Sequence, residues 1–361
     1  MELIKIISPG RICLFGDHQD YLGLPVIACA INKHITLEAK KRKDSKYQFI
    51  INLPDINEVR YLAHDISYTT GGSRDYFLSA IKVLREYGCT PDGNCYDVTI
   101  SGNLPINAGV SSSTAVIIAW VTFLIEVFGI NQKVSPELIA KLAFESEVVE
   151  NREPGGSMDQ YTIAIGGNIF LNTIDNSYKS LIYDDLYMIL GESGIHKQTL
   201  NTLKSKKDKA LKALSFIQKE MPDFTLINRS FKDYDQYKGY IPKNLRPYFF
   251  AALNNYSITK KALQEFEKEK LDGVKLGELM NEHHNVLKDI LKVTVPTIDN
   301  MIAEAKSAGA YGAKIVGSGG GGCIVALAPL SEVEKVCKAI KAVGKDAYAV
   351  KVSKGVEVIS S

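Results

Sequence analysis

Asn103-Leu104-Pro105-Ile106-Asn107-Ala108-Gly109-Val110-Ser111-Ser112-Ser113-Thr114-Ala115 joins a strand-like run, residues 96–102, to a long apolar run, residues 114–128. A loop of small residues opening a helix is a ready anion site. The N–H groups of the first turn have no intrahelical partner, and the helix dipole favours negative charge there. Gly109 lets a ligand approach the backbone with no Cβ in the way. Ser111, Ser112 and Ser113 add hydroxyls that can donate to phosphate oxygens or ligate Mg²⁺. A serine-capped helix after a turn would have the same sequence, so the weight falls on the rest of the chain.

At 361 residues the chain exceeds a single core, which predicts two domains. A composition shift near residues 176–185 puts the division at 1–180 and 181–361. Hydrophobic residues make up 45% and charged residues 23%, as in ordinary globular proteins. Lys+Arg 43 against Asp+Glu 41 leaves +2, so no bulk field favours nucleic acid or a membrane. The six cysteines form no CxxC pair, which argues against zinc and predicts reduced thiols in a cytoplasmic protein. The first residues, MELIKIISPGR, lack the apolar core of a signal peptide. The window 116–130 is short for a membrane span and contains Glu126, so it reads as a buried helix.

Residues 3–7 read as a strand, SPGR as a turn, and residues 12–15 as apolar again. Gly16-Asp17-His18-Gln19-Asp20-Tyr21 then places ionisable groups directly after a strand, where sites are built; a solvated turn has the same residue types. Further strands are predicted at 26–31, 35–39 and 47–52, with a basic turn at 40–46. Phe77, Ala80, Ile81 and Leu84 give residues 75–87 an amphipathic helical period. Ser135-Pro136 opens a helix running to about residue 151, and residues 151–156 break it. Residues 161–165 are apolar, and 167–172 read as a strand. The second half opens with a strand at 187–191. Helical patterns follow at 199–220, 246–269, 275–291 and 297–308, with residues 223–243 a tyrosine-rich connection. The run Gly317-Ser318-Gly319-Gly320-Gly321-Gly322 lies between apolar strands at 314–316 and 323–327, as a tight loop that something approaches closely. A helix at 331–343 and a strand at 347–352 follow.

GxxxxGK[ST], HRD, DFG and HExxH are all missing, which excludes the Walker loop, the protein-kinase arrangement and the zincins. What is present is a serine loop, a glycine loop, an Arg followed by an acidic cluster, and an Asp after Gly-Gly. Phosphoryl transfer needs those parts: a phosphate cradle, a metal ligand, a cation and a carboxylate beside the acceptor hydroxyl.

Three motifs in order carry a family resemblance across nearly the whole chain. Pro9-Gly10-Arg11-Ile12-Cys13-Leu14-Phe15-Gly16-Asp17-His18-Gln19-Asp20-Tyr21 is similar to a galactokinase signature. Leu104–Ser113 is similar to the second motif, and Gly317–Gly322 with Cys323 to the third. Gly156-Ser157-Met158-Asp159-Gln160 resembles the galactokinase G-x-M-D-Q, and Met280–Leu287 a galactokinase C-domain helix. The sequence thus resembles the GHMP kinases, on the galactokinase-like branch. The resemblance implies an α+β GHMP kinase fold. Its N-terminal domain would be of the ribosomal-protein-S5-domain-2-like kind with a left-handed βαβ crossover, its C-terminal domain ferredoxin-like, and its ligands would lie between them.

By that resemblance Asp159 matches the catalytic base or hydroxyl-orienting carboxylate. Arg11 matches the cation that keeps it ionised and stabilises transferring charge. Pro105, Gly109, Ser111, Ser112, Ser113, Gly319 and Gly320 match ATP-binding positions. Ser113 and Glu147 match Mg²⁺ ligands, with Glu145 a rival by register. Asp17, His18 and Asp20 match sugar contacts. The implied activity is an ATP- and Mg²⁺-dependent kinase acting on a sugar hydroxyl, most simply the anomeric one. A mevalonate-kinase-like enzyme and a non-catalytic sugar sensor are the alternatives. Asp17 stands where galactokinases have Glu, so the acceptor oxygen retreats by about 1.5 Å. That favours a neutral hexose or an extended neutral sugar, galactose first. A uronic acid would be repelled by Asp17 unless an Arg or Lys intervenes.

Overall fold

The computed structural model describes residues 3–43, 46–64, 75–91, 93–182, 187–196 and 199–360. In chain order its regular elements begin with β1 (Leu3–Phe15), β2 (Val26–Arg42), β3 (Phe49–Leu53), β4 (Glu58–Leu62), α1 (Tyr76–Glu86) and β5 (Cys95–Gly102). Then come α2 (Ser112–Phe128), α3 (Pro136–Phe144), α4 (Met158–Ile165), β6 (Asn168–Leu171) and β7 (Tyr178–Ser180). The second half holds β8 (Tyr187–Glu192), α5 (Thr199–Glu220), the short α6 (Tyr234–Tyr237), α7 (Arg246–Phe266), α8 (Gly273–Asn285) and α9 (Pro296–Ser307). It closes with β9 (Gly312–Ile315), β10 (Cys323–Ala328), α10 (Val333–Val343), β11 (Asp346–Val350) and β12 (Glu357–Ser360).

One sheet runs β12-β1-β2-β5-β3-β4, with β6 on the other end of β2 and β7 beside β6. Among the described residues its one parallel pairing joins β3 to β5, with β4 and α1 between them in the chain. The second sheet runs β11-β8-β10-β9 and is antiparallel throughout. That is the order a βαββαβ ferredoxin-like unit gives, here with α5 to α9 between its first two strands. The chain passes from the first sheet to the second between residues 180 and 187, and β12 returns to pair with β1. A division at 180/181 therefore describes the first crossing only. Residues 183–185 of the proposed boundary lie outside the described residues, as do 44 and 45 of the basic turn.

Helix α2 is apolar all round because it is covered all round, packing on β1 and β2 and under α1, α3 and α4. Trp120 is fully buried there, and its indole N–H donates to the Phe77 carbonyl at 3.2 Å, so no polar group is stranded. A second, smaller core gathers Leu24 with Ala213, Ile217, Phe224, Tyr237 and Phe249. It makes the tyrosine-rich connection a packed segment of short helical turns rather than an open loop.

Two predicted breaks are continuous strand. SPGR is not a turn: β1 runs straight through it, and the register shift between Pro9 and Gly10 places the extra residues, Asn32 and Lys33, on the partner strand β2. Proline has no N–H for the ladder, and Pro9 sits where the ladder to β2 is interrupted and the pairing with β12 has already ended at Ile7. A Cβ on Gly10 would lie 2.3 Å from Leu104 Cδ1 and 3.0 Å from the Val110 carbonyl oxygen, so glycine admits the serine loop to the strand. Likewise 26–31 and 35–39 are one strand, β2, whose two ends pair with different neighbours, β6 and β5.

Candidate active site

The register shift between Pro9 and Gly10 directly precedes the site's first member. Past it, the Arg11 N–H donates to the Val110 carbonyl at 3.1 Å, which ties strand to serine loop. The Arg11 side chain is buried and donates from Nε to Asp159 Oδ1 at 2.7 Å and from Nη1 to the Gly109 carbonyl at 2.5 Å. Asp159 occupies the first turn of α4, where the helix dipole favours a carboxylate. Its other oxygen accepts from the Ser111 hydroxyl. Ser111 itself takes a left-handed backbone, φ 59°, at the N-terminus of α2, turning the loop's last residues toward the cavity.

Glu147 arrives by a different device. After α3 the helix widens into a π-turn over residues 145–149, closed by the Glu150 N–H on the Glu145 carbonyl at 2.9 Å. Such turns rotate the side chains that follow and recur at functional sites. Glu147 is carried inward to 5% exposure. There it accepts from Gln160 Nε2 at 2.7 Å, Thr114 Oγ1 at 3.1 Å and Ser113 Oγ at 3.4 Å. All three donors are neutral. Burial, then the Asp159 charge, push the Glu147 carboxyl up to about 8. Glu145 instead points at the Tyr87 hydroxyl, at 3.0 Å, and is not in the cavity wall.

The acidic cluster after β1 forms the opposite wall. His18 is buried in a left-handed conformation, φ 64°, with Nε2 3.1 Å from the Ser318 carbonyl and Nδ1 3.1 Å from the Tyr21 hydroxyl. Asp20 accepts from the Gly156 N–H at 3.2 Å. Burial and the neighbouring Asp159 charge raise its carboxyl to about 6. Asp17 is held on both oxygens. Lys314 Nζ donates to Oδ2 at 2.5 Å and the Gly317 N–H to Oδ1 at 2.7 Å. Despite its burial, these donors hold the Asp17 carboxyl below the usual range.

Arg11, Asp17, His18, Asp20, Glu147 and Asp159 line one cleft of about 170 Å³, shared with Asn107, Gly109, Ser112, Glu153, Leu203 and Ser318. Of the residues picked out from sequence, the fold brings Arg11, Asp17, His18, Asp20, Gly109, Ser111, Ser112, Ser113, Glu147 and Asp159 to this wall. It leaves out Pro105, Gly319 and Gly320. Gly319 and Gly320 have φ of 82° and 79°, and their loop is pulled back onto Val293, whose carbonyl takes the Gly320 N–H at 2.8 Å. A Cβ on Gly319 would sit 2.3 Å from that same oxygen. These two glycines are packed against Val293, and Gly317 and Ser318 face the cleft. Thr114, Gln160, Glu153 and Lys314 were not singled out. Lys314 had a signal, a charged residue inside a strand that otherwise reads as buried. It also supplies the cation that the charge argument against a uronic acid made its exception, so that argument loses its premise.

The GHMP kinases N terminal domain matches residues 75–167, the GHMP kinases C terminal domain residues 260–346, and the galactokinase galactose-binding signature residues 4–41. A mevalonate kinase of Thermococcus sibiricus is 30% identical over 96% of this chain and 95% of its own length. The chain belongs to the GHMP kinase family. A galactokinase of Clostridium perfringens is 29% identical over 96% of this chain and 91% of its own. In structure, Lactococcus lactis galactokinase complexed with galactose superposes with a TM-score of 0.88 at 25% identity, covering 98% of this chain and 95% of that one. Methanococcus jannaschii mevalonate kinase shares the fold, with a TM-score of 0.71 at 20% identity over 97% and 98%. The protein is therefore a GHMP-fold kinase, related to both branches.

Proposed function

We propose that this GHMP kinase transfers the γ-phosphate of ATP to a sugar hydroxyl, the anomeric one, with Mg²⁺ as cofactor. The observation that carries the reading is Asp159, held by Arg11 and Ser111 between the serine loop and the wall formed by His18 and Asp20. In that position the carboxylate can accept or orient the proton of an acceptor hydroxyl. Arg11 and the N–H groups opening α2 supply positive field for the phosphoryl group. Ser112 and Ser113 offer hydroxyls to phosphate oxygens.

The donors suit the metal. Glu147, Ser113 and Asp159 offer hard oxygen ligands, and the buried Glu147 carboxyl accepts from three neutral donors, Ser113, Thr114 and Gln160. Among the described residues no three carboxylate, imidazole or thiolate groups converge into an all-protein cage. Mg²⁺ would keep waters and substrate phosphates in its shell, so it needs few protein oxygens. When bound it would neutralise charge on the phosphates.

The superposition on a galactokinase and the match to the galactose-binding signature support a sugar acceptor. A mevalonate-type acceptor is the second reading, favoured by the Thermococcus relative. Measuring ATP consumption over galactose, its 6-deoxy analogue, a heptose, galacturonate and mevalonate separates them. With a sugar, phosphorus NMR of the product should show coupling to the anomeric proton; coupling to a CH₂ group would refute the position. Turnover of mevalonate alone would overturn the sugar reading, and no turnover at all would favour a sensor.

A further inference from the structure

Asp17 and Lys314 come from opposite ends of the chain and meet almost without solvent, at 2% and 0% exposure. Their contact is one link of a closed circuit. Lys314, in β9, donates to Asp17 Oδ2 at 2.5 Å and to the Cys13 carbonyl at 2.9 Å, near the end of β1. Asp17 Oδ1 takes the Gly317 N–H at 2.7 Å. The next residue on each side returns the link, His18 Nε2 meeting the Ser318 carbonyl at 3.1 Å. A carbonyl only accepts, so this contact puts the proton on Nε2. The circuit thus joins the ends of two strands in different sheets to the acidic loop and the glycine loop. An ammonium and a carboxylate this dry hold one geometry, because parting them strands a charge away from water.

We propose that Lys314 is a positioning residue for the acceptor site. Through Asp17 and the Gly317–Ser318 backbone it fixes where His18 stands on the cavity wall, and Asp17 is a brace rather than a reader of the substrate's hydroxyls. The proposal rests on the sugar-kinase reading for its kinetic test but not for its spectroscopic one.

The spectroscopic test follows the His18 imidazole by ¹H–¹⁵N NMR in the full chain, with the indole N–H of Trp120, the chain's one tryptophan, reporting the core. Wild type and Lys314→Arg should show a protonated Nε2 protected from exchange with water. Lys314→Met should lose that protection while the Trp120 signal stays. If Lys314→Met loses the Trp120 signal too, the uncharged pair Asp17→Asn with Lys314→Gln carries the same comparison. Unchanged protection of His18 in a folded variant lacking the ammonium overturns the proposal, whatever the activity. The kinetic test uses galactose and its monodeoxy analogues as probes. Lys314→Met should raise the galactose KM at least tenfold, with the ATP KM within twofold and with recovery in Lys314→Arg. Asp17→Asn should lose as much on each deoxy analogue as wild type does. An analogue whose penalty vanishes in Asp17→Asn would show that Asp17 reads that hydroxyl, and would overturn the brace. If no probe is phosphorylated, the kinase reading alone fails and the NMR result still decides.

Discussion

Asp159 is half-exposed to the cleft while its partner Arg11 is nearly dry, at 27% and 5% of their side chains. The guanidinium is thus a fixed charge and the carboxylate the group that meets a substrate. Asp159→Asn keeps shape and removes charge. Turnover should fall by roughly 10²–10⁴, the scale for losing a general base, with ATP affinity near normal by calorimetry. Turnover close to wild type would end the assignment. Glu147 carries the metal prediction. Ser113→Ala and Glu147→Gln should each raise the Mg²⁺ concentration for half-maximal rate, and Glu145→Gln, on the Tyr87 side, should not. The reverse result for the two glutamates would put the ligand register half a helical turn away.

Helix α8 ends with His283 and His284 buried, at 0% and 5% exposure. Among the described residues neither nitrogen of His283 has a hydrogen-bond partner, and its ring stacks near Phe15 with centroids 6.4 Å apart. Burial lowers the two rings to about 3 and about 4, so the folded chain keeps them neutral. The unfolded chain protonates them near pH 6.5 and the folded one does not, so stability is lost as pH falls from about 6.5 toward 4. Replacing one such ring by an apolar side chain removes its share. Thermal melts of His283→Leu and wild type at pH 7.5 and pH 5 should show a smaller acid loss in the variant. Equal slopes would mean that the buried ring does not report on folding.

Across the whole molecule the two halves are tied at points the linear order hides. Leu24, two residues past the acidic loop's 3₁₀ turn at residues 20–22, is fully buried among α5 and α7. Leu24→Ala should cost about 2–5 kcal/mol, the usual range for a buried leucine. It should also raise the acceptor KM, because the loop then loses its anchor. Denaturant melts and steady-state kinetics measure the two effects, and a stability loss with unchanged KM would separate the anchor from the site. Strand β12 is the other tie. It pairs with β1 from Ile4 opposite Ser360 to Ile7 opposite Glu357. Removing residues 357–361 should lower the melting temperature by about 5–10 °C, a loss of a few kcal/mol in a domain of this size. Residues 1–180 expressed alone should be largely insoluble, since β1 then presents an unpaired edge.

Sequence by itself determined whatever depends on local pattern and on motif chemistry. Periodicity located α5 at residues 199–220 and the long helices after it, because those segments keep one apolar face over many turns. The serine loop was legible because a small-residue run before a helix carries its own physical reason. The resemblance of the chain's motifs to the GHMP kinases brought Arg11, Glu147 and Asp159 forward. Sequence could not say that Pro9-Gly10 continues the strand instead of turning, since that depends on β2 lying alongside and on Leu104 and Val110 approaching Gly10. Nor could it choose between Glu145 and Glu147 as lining residues: they stand two apart, and only the π-turn against Tyr87, Thr114 and Gln160 rotates one inward. Pro105, Gly319 and Gly320 have the right residue types and lie outside the cleft wall. The pairing of Asp17 with Lys314, 297 positions apart, belongs wholly to the tertiary structure. A buried charge finds its partner through space, and nothing in either residue's neighbours along the chain names the other.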